Sequence, residues 1–445
     1  MRRIVAVILT AIAFALSGCA NATSFEPEAF RVAQDVRAQT VISGSPLDQR
    51  VQQLNAVLKG QLPLEDYFTQ SFLDAVPPAQ FKTILDSIIA QQGQPLFEVS
   101  SLTRGEHGVT VLYAFERGVA NIELDIAAAA PNKVIGLLIT GFTKSNDSID
   151  KVAEEISALP GQKGFLVAQL DDAGNAKTIV SQYADTQFAI GSTFKLYILA
   201  ELANQVRAGE RRWSDVAPLA HRSFSSAGTR GWPKDSPATL HTMAGWMISV
   251  SDNSATDSLL FALGREAVER RLASIGHKDP DKTLPFLSTV EAFALKANPE
   301  LRERFLASNE AEQRDLLDKE AAALTLDKID KEALSKSPNS IDTIEWFASP
   351  TDMLWLLSHL KAQKNDEALA IMGINPGLSP AAAKKWRYVG YKGGSEPGVI
   401  SMSFLLQSPS GKWTVVTGSW NNTAADVDNA KFAGLMERLV AAVGD

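Results

Sequence analysis

The sequence predicts the α+β fold class, divided into two domains. Residues 46–90 carry helical patterns and residues 96–140 carry alternating strand patterns, so helices precede strands in the first part of the chain. In the second part, strand patterns at residues 164–183 and 401–420 flank a long helical block, which predicts an antiparallel sheet built from both ends of that part. A polar Gly/Asn/Ser cluster at residues 141–147 marks the boundary. We therefore expect domains at about residues 25–145 and 147–445.

The overall composition is that of an ordinary globular protein. The chain has 445 residues, of which 45% are hydrophobic and 21% are charged, and this is long enough for two cores. The formal net charge of -8 leaves no broad basic surface that could neutralise phosphates. A nucleic-acid partner is therefore not expected.

Residues 1–19 have the pattern of a bacterial lipoprotein signal peptide. Arg2 and Arg3 precede an apolar stretch over residues 4–16, which is short for a membrane span, and Leu16-Ser17-Gly18-Cys19 resembles a lipobox. The resemblance implies that Cys19 is lipidated and anchors an exported protein to a bacterial membrane, facing the periplasm or the cell exterior. An ordinary secretory signal is the alternative. Cys19 is the only cysteine in the sequence, so no internal disulfide is possible.

The front domain, residues 25–145, combines helices with hairpin-linked strands. Helical patterns cover residues 46–58, 64–73 and 78–90, and strand patterns cover residues 96–102, 108–117, 120–127 and 133–140. This order is similar to the steroid-isomerase-like (cystatin/NTF2-like) α+β fold, which often encloses an apolar pocket. No catalytic pattern stands out here, so we expect a spacer or a binding module.

The strongest chemical signal is Gly191-Ser192-Thr193-Phe194-Lys195. A helix beginning at Ser192 would place Ser192 and Lys195 on one face, three residues apart. A buried lysine can become neutral and take the proton of a serine hydroxyl, which makes the serine a nucleophile. The same S-x-x-K spacing at Ser148 and Lys151 is instead typical of a helix N-cap at Ser148.

Two later motifs distinguish the first S-x-x-K from the second. Ser251-Asp252-Asn253 lies 59 residues after Ser192, and Lys392-Gly393-Gly394-Ser395 follows it. The segments FAIGSTFKLYIL, LHTMAGWMISVSDNSATDSLL and YVGYKGGSEPGV resemble the class A β-lactamase and penicillin-binding-protein superfamily over roughly residues 150–445. The closest resemblance is to two-domain bacterial lipoproteins that carry a steroid-isomerase-like domain in front of a β-lactamase-like serine hydrolase.

The resemblance implies a role for each motif residue. Ser192 would form the acyl-enzyme with Lys195 as its base, Ser251 would pass a proton toward the leaving group, and Asp252 would hold the turn. Lys392 would attract a substrate carboxylate, Asn253 would bind an acylamino side chain, and Gly394 and Ser395 would line the cleft, with the Ser192 and Ser395 N–H groups as the oxyanion hole. Gly393 departs from the family pattern, because a hydroxyl residue normally stands there and binds that carboxylate.

The region between the second and third motifs departs further. Class A β-lactamases carry a glutamate there that activates water, and Glu291 lies at a similar distance, but the neighbouring leucine and asparagine spacing does not fit. An amphipathic helix with Glu291 on its solvent-facing side is an equal alternative. Residues 299–337 form a charge-dense insertion, which we expect to be a solvated helical hairpin or a lid over the cleft.

The histidines show no metal-binding spacing, and no cofactor or metal is expected. The sequence thus predicts a serine hydrolase acting on β-lactam or related amide or ester substrates in the cell envelope. An esterase or peptidoglycan peptidase with weak β-lactamase activity, and an envelope binding lipoprotein with a vestigial site, are the alternatives. The expected partners are a small-molecule β-lactam, ester or peptide substrate and a membrane.

Overall fold

A computed structural model describes residues 44–144, 147–172, 174–330, 334, 336–363 and 365–443. The predicted signal peptide and Cys19 lie outside these ranges. The chain divides into two compact units, residues 1–142 and 143–445.

In the first unit, helices precede an antiparallel sheet. The helices are α1 (Pro46–Leu58), α2 (Leu64–Tyr67), α3 (Gln70–Ala75) and α4 (Pro78–Gln92). The strands pair in chain order as β1 (Pro95–Thr103), β2 (Gly108–Phe115), β3 (Gly118–Ile126) and β4 (Val134–Lys144). The helix predicted over residues 64–73 is wrong as a single element. It breaks because Thr69 is extended and its side chain accepts from the Phe72 N–H, which starts α3.

The core of this unit lies between the helices and one face of the sheet. Alternate residues of β3 are buried, as the strand period requires, and they pack with Leu54 of α1 and the aromatic pair Tyr67 and Phe68. The Tyr67 hydroxyl donates to the backbone carbonyl of Arg50 at 2.8 Å, so this buried polar group is satisfied.

The second unit is built around an antiparallel sheet whose strands come from two distant stretches of the chain. In spatial order they are β11 (Tyr388–Glu396), β12 (Val399–Gln407), β13 (Trp413–Asn421), β5 (Gln162–Leu170) and β6 (Ala176–Gln182). The two stretches meet where β13 pairs with β5, from Trp413 opposite Leu170 to Asn421 opposite Gln162. The α+β class with an antiparallel sheet, predicted from the sequence, is confirmed for this unit.

Short strand pairs and helices complete the second unit. The pairs are β7 (Phe188–Ala189) with β10 (Phe347–Ala348), and β8 (Val216–Pro218) with β9 (Pro237–Thr239). The α-helices are α5 (Ile149–Ser157), α6 (Lys195–Arg207), α7 (Leu240–Ser249), α8 (Asn253–Leu263), α9 (Arg265–Ile275), α10 (Thr289–Ala297), α11 (Pro299–Ala307), α12 (Glu310–Lys319), α13 (Pro350–Ala362), α14 (Asp366–Gly373), α15 (Pro380–Ala383) and α16 (Asn429–Ala442). 3-10 turns occupy Gly191–Phe194, Pro280–Lys282 and Leu326–Lys328.

Helix α6 is the central element of the helical block. Ten of its residues are buried, because several other helices pack against it. The turn that leads into it is fixed by a stack of Phe194 on Trp346, with ring centroids 3.8 Å apart and an interplanar angle of 14°. Such a pair contributes about 0.5–1.5 kcal/mol beyond area burial.

The predicted insertion at residues 299–337 contains helices α11 and α12, but it is not simply a solvated hairpin. Leu301 and Phe305 of α11 and Leu316 and Leu317 of α12 are buried in the main core of the unit. The charged residues of the insertion cover the opposite, exposed faces. The hairpin prediction was therefore wrong about its packing, because each of the two helices has an apolar side that is buried.

Among the described residues, no helix combines the length and the apolar character that a membrane crossing requires.

Candidate active site

Ser192 lies in the 3-10 turn that leads into α6, not in the α-helix that the sequence predicted to begin there. Gly191 has φ +47°, a left-handed conformation that favours glycine, and the regular helix starts only at Lys195. The turn lets β11 approach closely. A Cβ atom on Gly394 would lie 2.3 Å from the Ile190 carbonyl oxygen and 2.4 Å from the Ser192 nitrogen, so only glycine fits at residue 394.

Lys195 is fully buried and points at the second motif. Its Nζ donates to the Ser251 carbonyl oxygen at 2.8 Å and to Asn253 Oδ1 at 2.5 Å, and it lies 3.0 Å from Ser251 Oγ. Burial, and then the nearby Lys392 charge, hold the pKa of Lys195 well below its ordinary value, against the opposing effect of Asp257 and Asp252. The environment thus favours the neutral amine that a general base requires.

Ser251 connects the two lysines. Its φ of +57° is unusual for a residue with a side chain, and it directs Oγ toward both Lys195 Nζ and Lys392 Nζ, each at 3.0 Å. Strained conformations of this kind persist where surrounding contacts enforce them. Here Asp252 supplies those contacts, since its carboxylate caps α8 through the Ala255 N–H and accepts from the Thr229 N–H and hydroxyl. Asp252 therefore holds the turn, as the resemblance implied.

Lys392 extends from β11 into the same cluster. Its Nζ also donates to the Gly393 carbonyl oxygen at 2.5 Å, and burial lowers the pKa of Lys392 to about 7. The charge of Lys392 is therefore present below pH 7 and is lost as the pH rises through that value. We call Ser192, Lys195, Ser251, Asn253 and Lys392 the acylation cluster.

Asn253 has fewer free hydrogen-bonding groups than the resemblance implied. Its Oδ1 accepts from Lys195, and its Nδ2 donates to the Phe224 carbonyl oxygen at 2.8 Å. One Nδ2 hydrogen remains for a ligand. Asn253 therefore both orients Lys195 and faces the cleft.

Tyr391 occupies the space above Gly393. A Cβ atom on Gly393 would lie 2.1 Å from the Tyr391 hydroxyl oxygen, and the Tyr391 ring stacks on Phe404 with centroids 4.8 Å apart. The hydroxyl group that the family normally carries at residue 393 is absent, but the Tyr391 phenol lies next to this position. Residues two apart on a strand share a face, so the sequence did carry a signal for this placement.

Glu291 is buried, and the prediction that it lies on a solvent-facing side of a helix was wrong. Its carboxylate accepts from Arg265 at 2.9 and 2.7 Å and from the Ser288 N–H at 2.7 Å, which completes a capping box at the start of α10. Asp257, another buried carboxyl group, bonds the Thr289 N–H and hydroxyl and the Val290 N–H. Both groups hold the loop before α10 in place.

The acylation cluster faces a cleft with a cavity volume of about 640 Å³. Its wall includes Ser192, Ser251, Asn253, Lys392, Gly394 and Ser395 from the three motifs. Residues that the sequence analysis did not anticipate also contribute, including Phe224, Phe293, Leu334, Tyr391, Glu396 and Met402. Tyr391 and Glu396 flank the third motif, whereas the other four come from separate segments with no motif of their own. Leu334 shows that the insertion at residues 299–337 reaches the cleft.

A second cavity adjoins the cleft, because Phe224 and Ser225 line both. Its wall carries Arg222, Arg230 and Lys234 beside Trp232, so this neighbouring space is basic although the whole chain is acidic. Within the described ranges, no group of three or more His, Cys, Asp or Glu side chains is arranged as metal ligands would be.

A serine in the turn before a buried helix, a buried lysine three residues later and a serine bridging two lysines are typical of serine hydrolases of the Ser-Lys type. The profile of the beta-lactamase enzyme family matches residues 146–417, which is more than half of the chain. The protein belongs to this family and is a serine hydrolase.

Several solved structures are similar to part of the chain. The β-lactamase of Sphaerobacter thermophilus is 19% identical, with a TM-score of 0.45, and the match covers 66% of this chain and 94% of that one. PBP-A is 16% identical, with a TM-score of 0.45 and coverage of 66% and 93%. An ancestral class A β-lactamase, GNCA, is 19% identical, with a TM-score of 0.44 and coverage of 66% and 98%. No curated protein is a detectable match to the chain.

Proposed function

We propose that the protein hydrolyses β-lactams or related amides and esters through an acyl-enzyme on Ser192. Neutral Lys195 accepts the Ser192 hydroxyl proton as Oγ attacks the substrate carbonyl carbon. The Ser192 and Ser395 N–H groups stabilise the resulting oxyanion, and the carbon–leaving-group bond then breaks. The proton passes from Lys195 through Ser251 to the leaving nitrogen or oxygen. The observation that carries this proposal is the convergence of Lys195 Nζ and Lys392 Nζ on Ser251 Oγ at 3.0 Å.

Intact-mass measurement of the full chain after exposure to a fluorescent penicillin and to a fluorophosphonate tests the nucleophile. The wild type is expected to gain the mass of one adduct, and Ser192→Ala none. Ser148→Ala is a matched control, because Ser148 has the same S-x-x-K spacing but caps α5, where its side chain accepts from the Lys151 N–H at 3.2 Å. An adduct on Ser192→Ala, or no adduct on the wild type with either probe, overturns the proposal. The second result favours a binding protein with a vestigial site.

A second candidate, an esterase or peptidase with weak β-lactamase activity, is favoured by the site at residue 393. The family carboxylate-binding hydroxyl is absent, and the Tyr391 phenol and the apolar Met402 line that part of the cleft instead. Substrates without a carboxylate would lose the least binding affinity from the absence of this hydroxyl group. A kcat/KM for p-nitrophenyl acetate well above that for a chromogenic cephalosporin would support the esterase, and the reverse order would support a β-lactamase.

We also propose that Cys19 carries lipid and holds the protein at the outward face of a bacterial membrane. The support is the sequence Leu16-Ser17-Gly18-Cys19 after a basic and apolar leader. Metabolic labelling with an alkyne fatty acid should mark the wild type and not Cys19→Ser. Normal processing and membrane fractionation of Cys19→Ser would contradict the anchor.

For the first unit, we propose a steroid-isomerase-like spacer or binding module without catalytic activity. Its helices precede a four-stranded sheet with a continuous apolar core. Deleting it should leave the rate of Ser192 labelling unchanged if it acts only as a spacer. A loss of labelling by a stable, folded residue 143–445 fragment would contradict that role.

A further inference from the structure

One step of the proposed hydrolysis has no base in the acylation cluster. Release of the acyl group requires a water molecule to lose a proton as it attacks the ester on Ser192. Glu291, the residue at the family position, has both carboxylate oxygens bonded to Arg265 and one of them also to the Ser288 N–H. Asp257 is fully buried and bonded to the Thr289 and Val290 backbone. Neither residue lines the cleft.

Glu396 is the single carboxylic acid among the described residues that line the cleft with Ser192. It ends β11, directly after Ser395 and two residues after Gly394, whose backbone packs against the Ser192 nitrogen. Its side chain is 16% exposed, whereas the Glu345 side chain is 3% exposed. Glu396 therefore lines the same cleft as Ser192 and is accessible from it.

Glu396 belongs to a buried group with Lys296 and Glu345, which we call the carboxyl cluster. Lys296 Nζ, in α10, forms ion pairs with both Glu345, at 3.2 Å, and Glu396. Burial lowers the pKa of Lys296, but the two carboxylates raise it by more, so this side chain remains an ammonium. One cation thus faces two carboxyl groups, and they can share a proton.

The same arrangement sets the protonation of Glu396. Burial, together with the charge and hydrogen bond of Glu345, raises the pKa of Glu396 to about 8, against the lowering effect of Lys296. Lys296 and Glu345 are the charged groups that face it. A carboxyl group with a pKa near the working pH is a stronger base, when ionised, than an ordinary carboxylate.

We propose that Glu396 is the base that activates water for hydrolysis of the acyl-enzyme, with Lys296 and Glu345 as positioning residues. This inference rests on the proposed acyl-enzyme on Ser192. The Glu396 carboxylate takes a proton from water as the water oxygen bonds to the ester carbonyl carbon. The bond from that carbon to Ser192 Oγ then breaks, and Oγ takes up the proton that Glu396 accepted, relayed through water. Glu396 is thereby a carboxylate again, and Lys195 is the neutral amine from which the next acylation begins.

The test compares the full-length wild type with Glu396→Gln during turnover of p-nitrophenyl acetate. In Glu396→Gln, the first nitrophenol is expected at the wild-type rate, and steady-state release is expected to fall by about a hundred- to ten-thousandfold. Intact mass should show the acetyl adduct accumulating on Ser192 in the variant. Unchanged steady-state turnover, or a parallel loss of acylation and turnover, overturns the inference.

The pH profile separates a base from a structural contact. Wild-type deacylation should rise with pH and level off above about pH 8, whereas Glu396→Gln should lack this rise. Glu345→Gln, the matched control, removes a like charge and should shift the midpoint to lower pH, while Lys296→Met should shift it to higher pH. Loss of rate in these two variants with an unmoved midpoint would contradict the assignment.

Two controls keep the result interpretable. Fluorophosphonate titration of active sites corrects each rate for the folded fraction of each variant. If the wild type forms no Ser192 adduct, the proposed function itself fails. If the adduct forms and Glu396→Gln hydrolyses it normally, only the present inference fails.

Discussion

The acylation cluster and the carboxyl cluster differ in how their chemistry is built. In the acylation cluster, Lys195 Nζ and Lys392 Nζ each lie 3.0 Å from Ser251 Oγ, and the three residues come from three short motifs. In the carboxyl cluster, Glu396 directly follows the third motif, but its partners Lys296 and Glu345 come from segments that carry no motif. A local motif fixes its own backbone geometry through a turn, a helix start or a strand edge, whereas the carboxyl cluster exists only once the chain has folded. The first half of the reaction is therefore readable from short patterns, and the second half is not.

The largest expected effect concerns Lys195. Lys195→Met should slow Ser192 acylation by about a hundred- to ten-thousandfold, because this substitution removes the buried amine that is proposed to accept the Ser192 proton. Stopped-flow release of nitrophenol from p-nitrophenyl acetate measures it. Lys151→Met, in the other S-x-x-K sequence, should leave the rate unchanged. Rapid acylation by Lys195→Met would show that another group is the base.

Gly394 tests how closely β11 must approach the nucleophile turn. Gly394→Ala would place a Cβ atom 2.4 Å from the Ser192 nitrogen, so the strand must move and the proposed oxyanion hole must widen. We expect acylation to fall by about a hundredfold, comparable to loss of one oxyanion donor. Gly231→Ala, where nothing lies within 4 Å of the added atom, should have no effect. Equal rates in the two variants would exclude the tight contact as a requirement.

Lys392 should give the acylation side its own pH dependence. Since burial lowers the pKa of Lys392 to about 7, its charge fades as the pH rises through 7, and attraction for a substrate carboxylate fades with it. kcat/KM for a carboxylate-bearing cephalosporin, which reports acylation and not deacylation, should fall severalfold between pH 6 and pH 9. kcat/KM for the uncharged p-nitrophenyl acetate should not fall. A parallel fall for both substrates would point to a different titrating group.

The smallest effect on turnover is expected at Glu291. Glu291→Gln keeps the shape but removes the charge that faces Arg265, so the free energy of unfolding should fall by about 1–3 kcal/mol. Urea unfolding measures this loss. Steady-state turnover of folded Glu291→Gln should stay within about threefold of wild type, since this residue lies outside the cleft. Collapse of cephalosporin turnover with adduct accumulation would instead identify Glu291 as the water-activating base.

Sequence patterns predicted the parts of the fold and site that local contacts fix, and missed those that depend on contacts between distant residues. The periodicity of apolar residues predicted α1 to the residue, and it placed β1, β2 and β3 within two residues at each end. Local patterns could not show that Thr69 interrupts one helix and caps the next, because a threonine can either continue a helix or cap one. They also could not show that Glu291 pairs with Arg265, which lies in another helix. Burial and long-range pairing decide such cases, and both depend on contacts between distant residues.

The pairing of β13 with β5 has a consequence for the order in which this protein is synthesised. Three of the five strands, and Lys392 and Glu396 with them, emerge from the ribosome after residue 387, nearly two hundred residues behind Ser192. Until β13 is available, β5 and β6 have no central sheet to join, and Ser192 has no opposing strand. Ser192 is thus translated well before the strands that carry Lys392 and Glu396, which delays assembly of the candidate site in the nascent chain.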